Sequence, residues 1–142
     1  MIVINQNSRW KGLGPTVRRA AEAALKAERK TKWEVAISLA DDAEVQVLNK
    51  QYRGKDKPTN VLSFPDGEEM RLGDIILAYE TVAREAAEQG KSLKHHLTHL
   101  TIHGVLHLIG YDHETETDAG HMESREIRLL AAMGIANPYE AL

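Results

Sequence analysis

Histidines are concentrated in one part of the chain, and their spacing is the first feature that could carry chemistry. All seven lie between positions 95 and 121, and three fall within HGVLHLIGYDH, residues 103–113. His103 and His107 are four residues apart, so a helix would present both imidazoles on one face, about 6 Å apart along its axis. Neutral imidazole is a common ligand of transition metals. A lone pair at this spacing is more often structural than metal-binding, so the pair allows a metal site with Lewis-acid chemistry but does not by itself predict one.

A glycine and a third histidine complete the predicted ligand set. The helix alone cannot bring a third ligand to the same ion without strain, whereas Gly110 allows the chain to leave the helix through a left-handed turn. His113 can then return to the roughly 2.0–2.1 Å that zinc–nitrogen bonds require. Three imidazoles leave the fourth tetrahedral position open for water, which is typical of a catalytic site. We therefore predict one metal ion bound by His103, His107 and His113 at the end of a helix.

The remaining histidines receive a different interpretation. His95 and His99 extend the four-residue spacing upstream, so spacing alone leaves open which pair binds the ion. The downstream pair is favoured because it lies nearest to the glycine turn. We expect His95, His96 and His121 to face solvent. His99 could support the ligands, although an ordinary surface role is the simpler interpretation.

The spacing H-x3-H-x2-G-x2-H is that of the metzincin proteases, with one departure. Those enzymes carry a glutamate directly after the first histidine, where it acts as the general base that activates metal-bound water. This chain has Gly104 at that position. The departure argues against peptide hydrolysis by that mechanism and leaves the metal prediction intact.

Composition narrows the class of protein and its surroundings. The 142 residues are 42% hydrophobic and 27% charged, which is ordinary for one globular domain. The chain has no cysteine, which excludes disulfides and thiolate metal sites and fits a reducing compartment. The start, MIVINQNSRW, lacks a basic segment followed by an apolar one, and no stretch approaches 18 apolar residues. We therefore expect a cytoplasmic protein without a secretory signal or a membrane-spanning helix.

The formal net charge of −3 bears on possible partners. A protein that binds nucleic acid needs lysine or arginine where the phosphates lie, and this chain has no overall basic character. Any polyanionic partner must therefore be bound by a local basic patch.

Hydrophobic periodicity and breaker residues predict the elements that would position these residues. Asp41, with Glu44 three residues later, is typical of a capping box, and Ser92 can cap the helix that carries the histidines. A short turn-rich link between two apolar strands, TNVLSFP and LGDIILA, favours a hairpin. The expected order is β-α-β-α-β-β-α-α-α in one α+β domain, with strands at 2–6, 33–40, 61–64 and 73–78 and helices at 14–30, 42–52, 79–89, 93–109 and 115–133.

A second cluster of functional residue types lies in the loop YRGKDKPTNVLSFP, residues 52–65. Arg53, Lys55 and Lys57 fall within five residues, although a charged turn is usually only solvated. Together with LGDIILA (72–78) and HGVLHLIGYDH, this loop resembles the YbeY family of bacterial endoribonucleases. The match runs in order across residues 52–113, and TNVLSFP and HGVLHLIGYDH are its most specific motifs.

The resemblance implies a fold, an activity and a site. The fold would be a single α+β domain over 1–142, with a four-stranded mixed sheet covered by about five helices. One Zn²⁺ ion would be bound by His103, His107 and His113, and Arg53 matches the family's functional arginine. The activity would be that of a metal-dependent endoribonuclease specific for single strands, acting in ribosomal RNA maturation, notably at the 3′ end of the 16S RNA, and in ribosome quality control. Its partners would be RNA and the small ribosomal subunit, with no DNA and no membrane.

Chemistry on RNA also explains why the missing glutamate is tolerable. RNA carries its own nucleophile, the 2′-hydroxyl, beside each phosphate, and a metal that polarises a phosphoryl oxygen needs no protein nucleophile. Arg53 can meet two phosphoryl oxygens at once as charge develops on them. Lys55 and Lys57 would bind flanking phosphates. Attack by water or by the 2′-hydroxyl is left open.

Several assignments stay open at this point. The candidates for the general base are Asp112, Glu114 and His99. Metal-bound histidines also need hydrogen-bond acceptors, and Asp112, Glu114 and Asp74 could serve. Two other functions compete with the nuclease: a metallopeptidase whose base comes from elsewhere in the chain, and a zinc-stabilised ribosome-binding factor without catalysis.

Overall fold

The computed structural model describes residues 2–140, which form four strands and five α-helices. A single 3-10 turn, Ser8–Trp10, lies between the first strand and the first helix. The strands are β1 (Ile2–Gln6), β2 (Glu34–Ala40), β3 (Val61–Pro65) and β4 (Arg71–Ala78). The helices are α1 (Gly14–Ala27), α2 (Asp42–Arg53), α3 (Tyr79–Glu88), α4 (Leu93–Ile109) and α5 (Glu116–Ala132). The predicted order of elements is confirmed.

The four strands form one mixed sheet in the order β1-β2-β4-β3. β1, β2 and β4 are parallel, whereas β3 runs antiparallel to β4 and pairs Val61 with Leu77 and Phe64 with Asp74. The predicted hairpin is therefore present, and it brings the loop that precedes β3 to the edge of the sheet. The expectation of an α+β domain with a four-stranded mixed sheet and five helices is confirmed.

Helices cover both faces of the sheet, as the alternation along β4 shows. Ile75 and Leu77 belong to the larger core, which α1 and α4 complete. Ala78 belongs to a smaller cluster with Val45 of α2, and the partly buried Ile76 packs against that cluster. Successive side chains of a strand point to opposite faces, so a single strand serves both cores. The position of α4 against β3 and β4 is what places the histidine helix over the hairpin.

The histidine-bearing helix α4 is buried on nearly all sides. Ser92 caps it, accepting a hydrogen bond from the His95 backbone N–H at 3.1 Å. Ten of its 17 residues are buried, a pattern typical of a helix in the centre of a domain rather than on its surface. A central helix is a rigid support, so side chains at its last turn occupy well-defined positions.

Local capping explains where the helices next to the site begin and end. Asp41 caps α2, accepting from the Glu44 N–H at 2.8 Å, and Gly54 ends it in a left-handed conformation with φ 71°. Arg53 is therefore the last residue of α2. The first helix stops at Ala27, three residues earlier than the sequence indicates, because Arg29 adopts a positive φ of 57°.

Candidate functional site

The structure brings His103, His107 and His113 together at the end of α4. The ring centroids are 6.1 Å apart for His103 and His107, 5.7 Å for His103 and His113, and 5.6 Å for His107 and His113. Three imidazoles that bind one ion through nitrogen at 2.0–2.1 Å would have centroids about 5 Å apart. The three rings therefore lie close enough together that one ion could be held by all of them.

Gly110 provides the turn that returns the third histidine. Its φ of 123° is positive, and the Tyr111 N–H bonds back to the Leu106 carbonyl at 3.1 Å. A residue with a Cβ rarely adopts this conformation. The chain consequently reverses direction directly after the helix, and His113 comes to lie beside the two helical histidines.

Hydrogen bonds fix which ring nitrogen each helical histidine presents. His107 Nδ1 lies 2.8 Å from the carbonyl oxygen of Tyr111, which can only accept, so Nδ1 carries the proton. His103 Nδ1 lies 2.7 Å from Oε1 of Glu126, and an ionised carboxylate also only accepts. In the neutral form of each ring, Nε2 is then the nitrogen with the free lone pair through which imidazole binds metals.

Glu126 is a site residue that sequence reasoning missed. It lies on α5 and is fully buried, at 0% exposure. Burial alone would raise the pKa of its carboxyl, but hydrogen bonds from His103, His99 and Tyr139 outweigh burial and lower that pKa to about 2. The carboxylate is therefore ionised. Its sequence signal was an acidic residue in the buried i, i+4 series Met122–Glu126–Leu130, where an apolar side chain would be expected.

Gly104, the position of the metzincin glutamate, faces the sheet. A Cβ at this residue would lie 3.1 Å from two carbons of Ile75 and 3.3 Å from Oγ of Ser63. Ser63 Oγ also donates to the Gly104 carbonyl at 3.4 Å, so α4 and β3 approach closely here. A glutamate at this position would therefore have to displace the side chains of Ile75 and Ser63. The structure thus gives a physical reason for the glycine and speaks against the metalloprotease mechanism.

A cleft of about 540 Å³ joins the three histidines to the basic loop. Its lining includes the three predicted cationic residues, Arg53, Lys55 and Lys57, and a fourth, Arg84 of α3, which sequence reasoning did not identify. The one carboxylate in the lining is Glu85. Four cations and one anion make this cleft locally positive, although the chain as a whole carries −3.

The Arg53 side chain is exposed but oriented by two contacts. Its Nη2 donates to the backbone carbonyl of Ser63 at 3.0 Å, and the guanidinium carbon lies 5.7 Å from the centre of the Phe64 ring. A guanidinium has five N–H donors, so one bond to the protein leaves others able to reach an anion in the cleft.

The structure corrects the expectation about one histidine. His96, predicted to face solvent, is 3% exposed, and its Nε2 lies 3.0 Å from Oε1 of Glu85. Burial lowers its pKa, and the hydrogen bond to Glu85 opposes that shift. The prediction was wrong because α4 is buried on several faces rather than one. His95 and His121 are exposed, as expected.

The candidate acceptors and bases from the sequence lie elsewhere. Asp74 pairs with Arg71, and Asp112 accepts from the Glu114 N–H. Within residues 2–140 the acceptors described for His103 and His107 are Glu126 and the Tyr111 carbonyl, so Asp74, Asp112 and Glu114 do not support these two rings. The interpretation of His99 as an ordinary surface residue was wrong, because its side chain is 12% exposed and packs behind the site, 3.3 Å from Glu126. It is absent from the described lining of the cleft. Its placement argues against a role as general base.

One further property concerns membranes. Across the part of the chain that the structure describes, we find no helix with both the length and the apolar composition needed to cross a bilayer.

Comparisons with known proteins agree with the resemblance read from the motifs. A family model described as Endoribonuclease YbeY matches residues 3–134. A protein of that name from Sphingopyxis alaskensis is 56% identical over 119 residues, covering 75% of this chain and 71% of its own length. Another from Rhodopseudomonas palustris is 52% identical over 134 residues, covering 87% of this chain and 70% of its own length.

A solved structure shares the fold over its whole length. The solution structure of TM1509 from Thermotoga maritima superposes with a TM-score of 0.65 at 28% identity, covering 99% of this chain and 100% of that protein. With the family model spanning most of the sequence and relatives above 50% identity, the chain belongs to the Endoribonuclease YbeY family.

Proposed function

We propose that the protein is a metal-dependent endoribonuclease that cleaves single-stranded RNA during ribosomal RNA maturation. One observation carries the proposal: the lining of a single cleft includes both the three convergent histidines and four cationic side chains. Such a cleft suits a phosphodiester, which needs both an electrophile at the phosphoryl oxygen and cations along the backbone. The names of the relatives support the same activity.

The metal in this proposal is one Zn²⁺ ion bound by His103, His107 and His113. The fit is supported by the donor set and the hydrogen bonds, because the Nδ1 atoms of the two helical histidines already have acceptors, which leaves Nε2 as the metal-binding nitrogen of each neutral ring. All-nitrogen sites of this kind suit zinc among the divalent metals. A bound ion would supply a Lewis acid for a phosphoryl oxygen of the substrate.

Arg53 has the electrostatic role in the proposed reaction. Its contact with the Ser63 carbonyl directs the guanidinium toward the cleft, where its free N–H groups can donate to two phosphoryl oxygens. Negative charge grows on those oxygens in the transition state, so an oriented donor stabilises that state more than the ground state. Arg53 thereby lowers the barrier without taking part in proton transfer.

The other cations of the cleft bind the strand on either side of the scissile phosphate. Lys55 and Lys57 extend the loop beyond Arg53, and Arg84 adds a cation from α3. Ribosomal RNA, with the 3′ end of the small-subunit RNA as the notable site, is the substrate that we infer from the family, and the small ribosomal subunit is the inferred partner. The activity is placed in the cytoplasm, in keeping with a chain that lacks cysteine.

The experiment is an incubation of metal-replete protein with three substrates: a single-stranded RNA, a structured RNA and an unstructured peptide. His107→Ala is the inactive control, and His95→Ala, an exposed histidine on the same helix, is the matched control. We expect wild type and His95→Ala to cut only the single-stranded RNA. Peptide cleavage would favour a metallopeptidase. Binding of intact RNA by a protein that unfolds on chelation, with ribosomal components present, would favour a non-catalytic binding factor.

A further inference from the structure

A network of buried hydrogen bonds lies behind the histidine site, on the side away from the basic loop. His103 lines both the cleft and a smaller cavity of about 180 Å³ that Glu126 and Tyr139 also line. The ring of His103 therefore has its Nδ1 on a side that substrate does not need to reach. The hydrogen-bond partner at Nδ1 therefore also determines the direction in which Nε2 of the same ring points.

Glu126 can stay charged in the interior only because it has donors on both oxygens. Oε1 accepts from His103 Nδ1 at 2.7 Å and lies 3.3 Å from His99 Nε2, whereas Oε2 accepts from the Tyr139 hydroxyl at 2.6 Å. An unpaired buried carboxylate would be strongly unfavourable. The Tyr139 hydroxyl is the donor described for Oε2, so it holds the second oxygen of the carboxylate in place.

Tyr139 comes from the short segment after α5, and local structure holds it there. Its backbone N–H donates to Oδ1 of Asn137 at 2.8 Å, and its ring lies edge-on to His99 with centroids 5.5 Å apart. Burial and the neighbouring Glu126 carboxylate both raise the pKa of the Tyr139 hydroxyl. The hydroxyl consequently remains a donor at neutral pH. The side chain is 44% exposed overall, so the domain's core does not depend on its bulk.

From these contacts we propose that Tyr139 is a positioning residue: acting through Glu126, it fixes the tautomer and the orientation of His103 for metal binding. The inference rests on the proposed metal site and adds to it a residue 26 positions beyond His113, the third proposed ligand. Without the hydroxyl, Oε2 has lost its donor and the carboxylate can rotate, so the bond to His103 Nδ1 is no longer held in one geometry. Loss of the hydrogen-bond partner of a metal ligand typically weakens metal binding by about 10–100-fold.

The test uses Tyr139→Phe and Glu126→Gln, with Tyr79→Phe as the matched control. Tyr79 lies on α3 with its ring edge-on to Trp10, and its substitution removes the same hydroxyl from a different place. Three quantities are measured on each protein: the zinc dissociation constant by competition with a chelator, the melting temperature, and the His103 ring-nitrogen spectrum by ¹⁵N NMR of metal-free protein. A merely structural role would move the melting temperature alone.

We expect zinc affinity to fall by about tenfold in Tyr139→Phe and by up to about a hundredfold in Glu126→Gln, with no change in Tyr79→Phe. In metal-free wild type, His103 should show one tautomer protonated at Nδ1, and Tyr139→Phe should show a mixture. Wild-type affinity together with a wild-type His103 spectrum in Tyr139→Phe would overturn the proposal. If wild type itself binds no zinc, the proposed metal function fails, and the metal-free spectrum still decides whether Tyr139 positions His103.

Discussion

The two sides of the cleft are built differently. On the histidine side, His103 and His107 each have a hydrogen-bond partner at 2.7–2.8 Å, and they stand on a buried helix. On the basic side, Arg53, Lys55 and Lys57 are all exposed, and Arg53 keeps one hydrogen bond to the protein. Metal ligands must be held within a few tenths of an ångström, whereas cations that follow a flexible strand must adapt. The difference teaches that the histidines of the proposed metal site are held in place in advance, whereas the proposed substrate contacts stay adjustable.

Loss of a metal ligand is the largest effect that the comparison predicts. His107→Ala and His113→Ala should each lose most of their zinc, because two imidazoles bind the ion much more weakly than three. Affinity should fall by more than the roughly 10–100-fold that follows loss of a ligand's hydrogen-bond partner. Elemental analysis of purified protein measures the content, with His95→Ala as the control. Wild-type zinc content in His113→Ala would remove this residue from the proposed triad.

Removal of the arginine should separate chemistry from structure. Arg53→Ala is expected to cleave RNA about 10²–10³ times more slowly, the usual loss for one donor to a developing oxyanion. Zinc content and melting temperature should stay at wild-type values, because Arg53 is exposed. Arg53→Lys should recover only part of the rate, since an ammonium lacks the planar fork. Single-turnover cleavage at saturating RNA is the measurement, and an unchanged rate in Arg53→Ala would limit the arginine to binding.

The close approach of α4 to the sheet predicts opposite effects at two helical glycines. Gly104→Ala places a methyl group 3.1 Å from the buried Ile75, an overpacking that costs about 1–3 kcal/mol and exceeds the gain of about 1 kcal/mol from helix propensity. A Cβ at Gly120 on α5 would have no neighbour within 4 Å, so Gly120→Ala should be stabilised by the full gain in helix propensity. Thermal melting should show a loss of about 2–4 °C in the first and a gain in the second. Equal shifts would mean that the helix is not pressed against the sheet.

The lysines of the loop should produce the smallest effects. Lys55→Ala and Lys57→Ala should each weaken RNA binding by a few-fold and reduce the slope of log K against log salt by about 0.7, the value for one phosphate of a single strand. The cleavage rate at saturating RNA should not change. Lys26→Ala, exposed on α1, is the control. A lower cleavage rate at saturating RNA in either loop variant would show that this lysine takes part in the chemical step. The distinction between the two sides of the cleft would then not hold.

The sequence predicted the elements well and the supporting residues poorly. Capping residues and breakers are local signals, so Asp41, Ser92 and Gly110 located the helix ends to within a few residues. The proximity of His103, His107 and His113 was likewise predictable because all three histidines lie within eleven residues. Their convergence at 5.6–6.1 Å follows from one helix and one turn.

Contacts between distant segments had no comparable signal. Glu126 reaches His103 across 23 positions because α5 packs against α4, and periodicity does not report which helices become neighbours. The candidate acceptors that we considered, Asp74, Asp112 and Glu114, therefore did not include the one that His103 contacts. Arg84 was missed for the same reason, since it joins the cleft from α3. His96 was misjudged because a helix buried on several faces has no reliable solvent side.

The most direct test of the central claim is single-turnover cleavage of one labelled single-stranded RNA by a single protein sample in three states: metal-replete, chelated, and restored with Zn²⁺. Circular dichroism on the same sample establishes that the chelated protein is still folded. We predict that cleavage is lost on chelation and returns on restoration, because the histidine side supplies the electrophile. Undiminished cleavage by the folded, chelated protein would contradict the account, since the basic side would then suffice for the reaction.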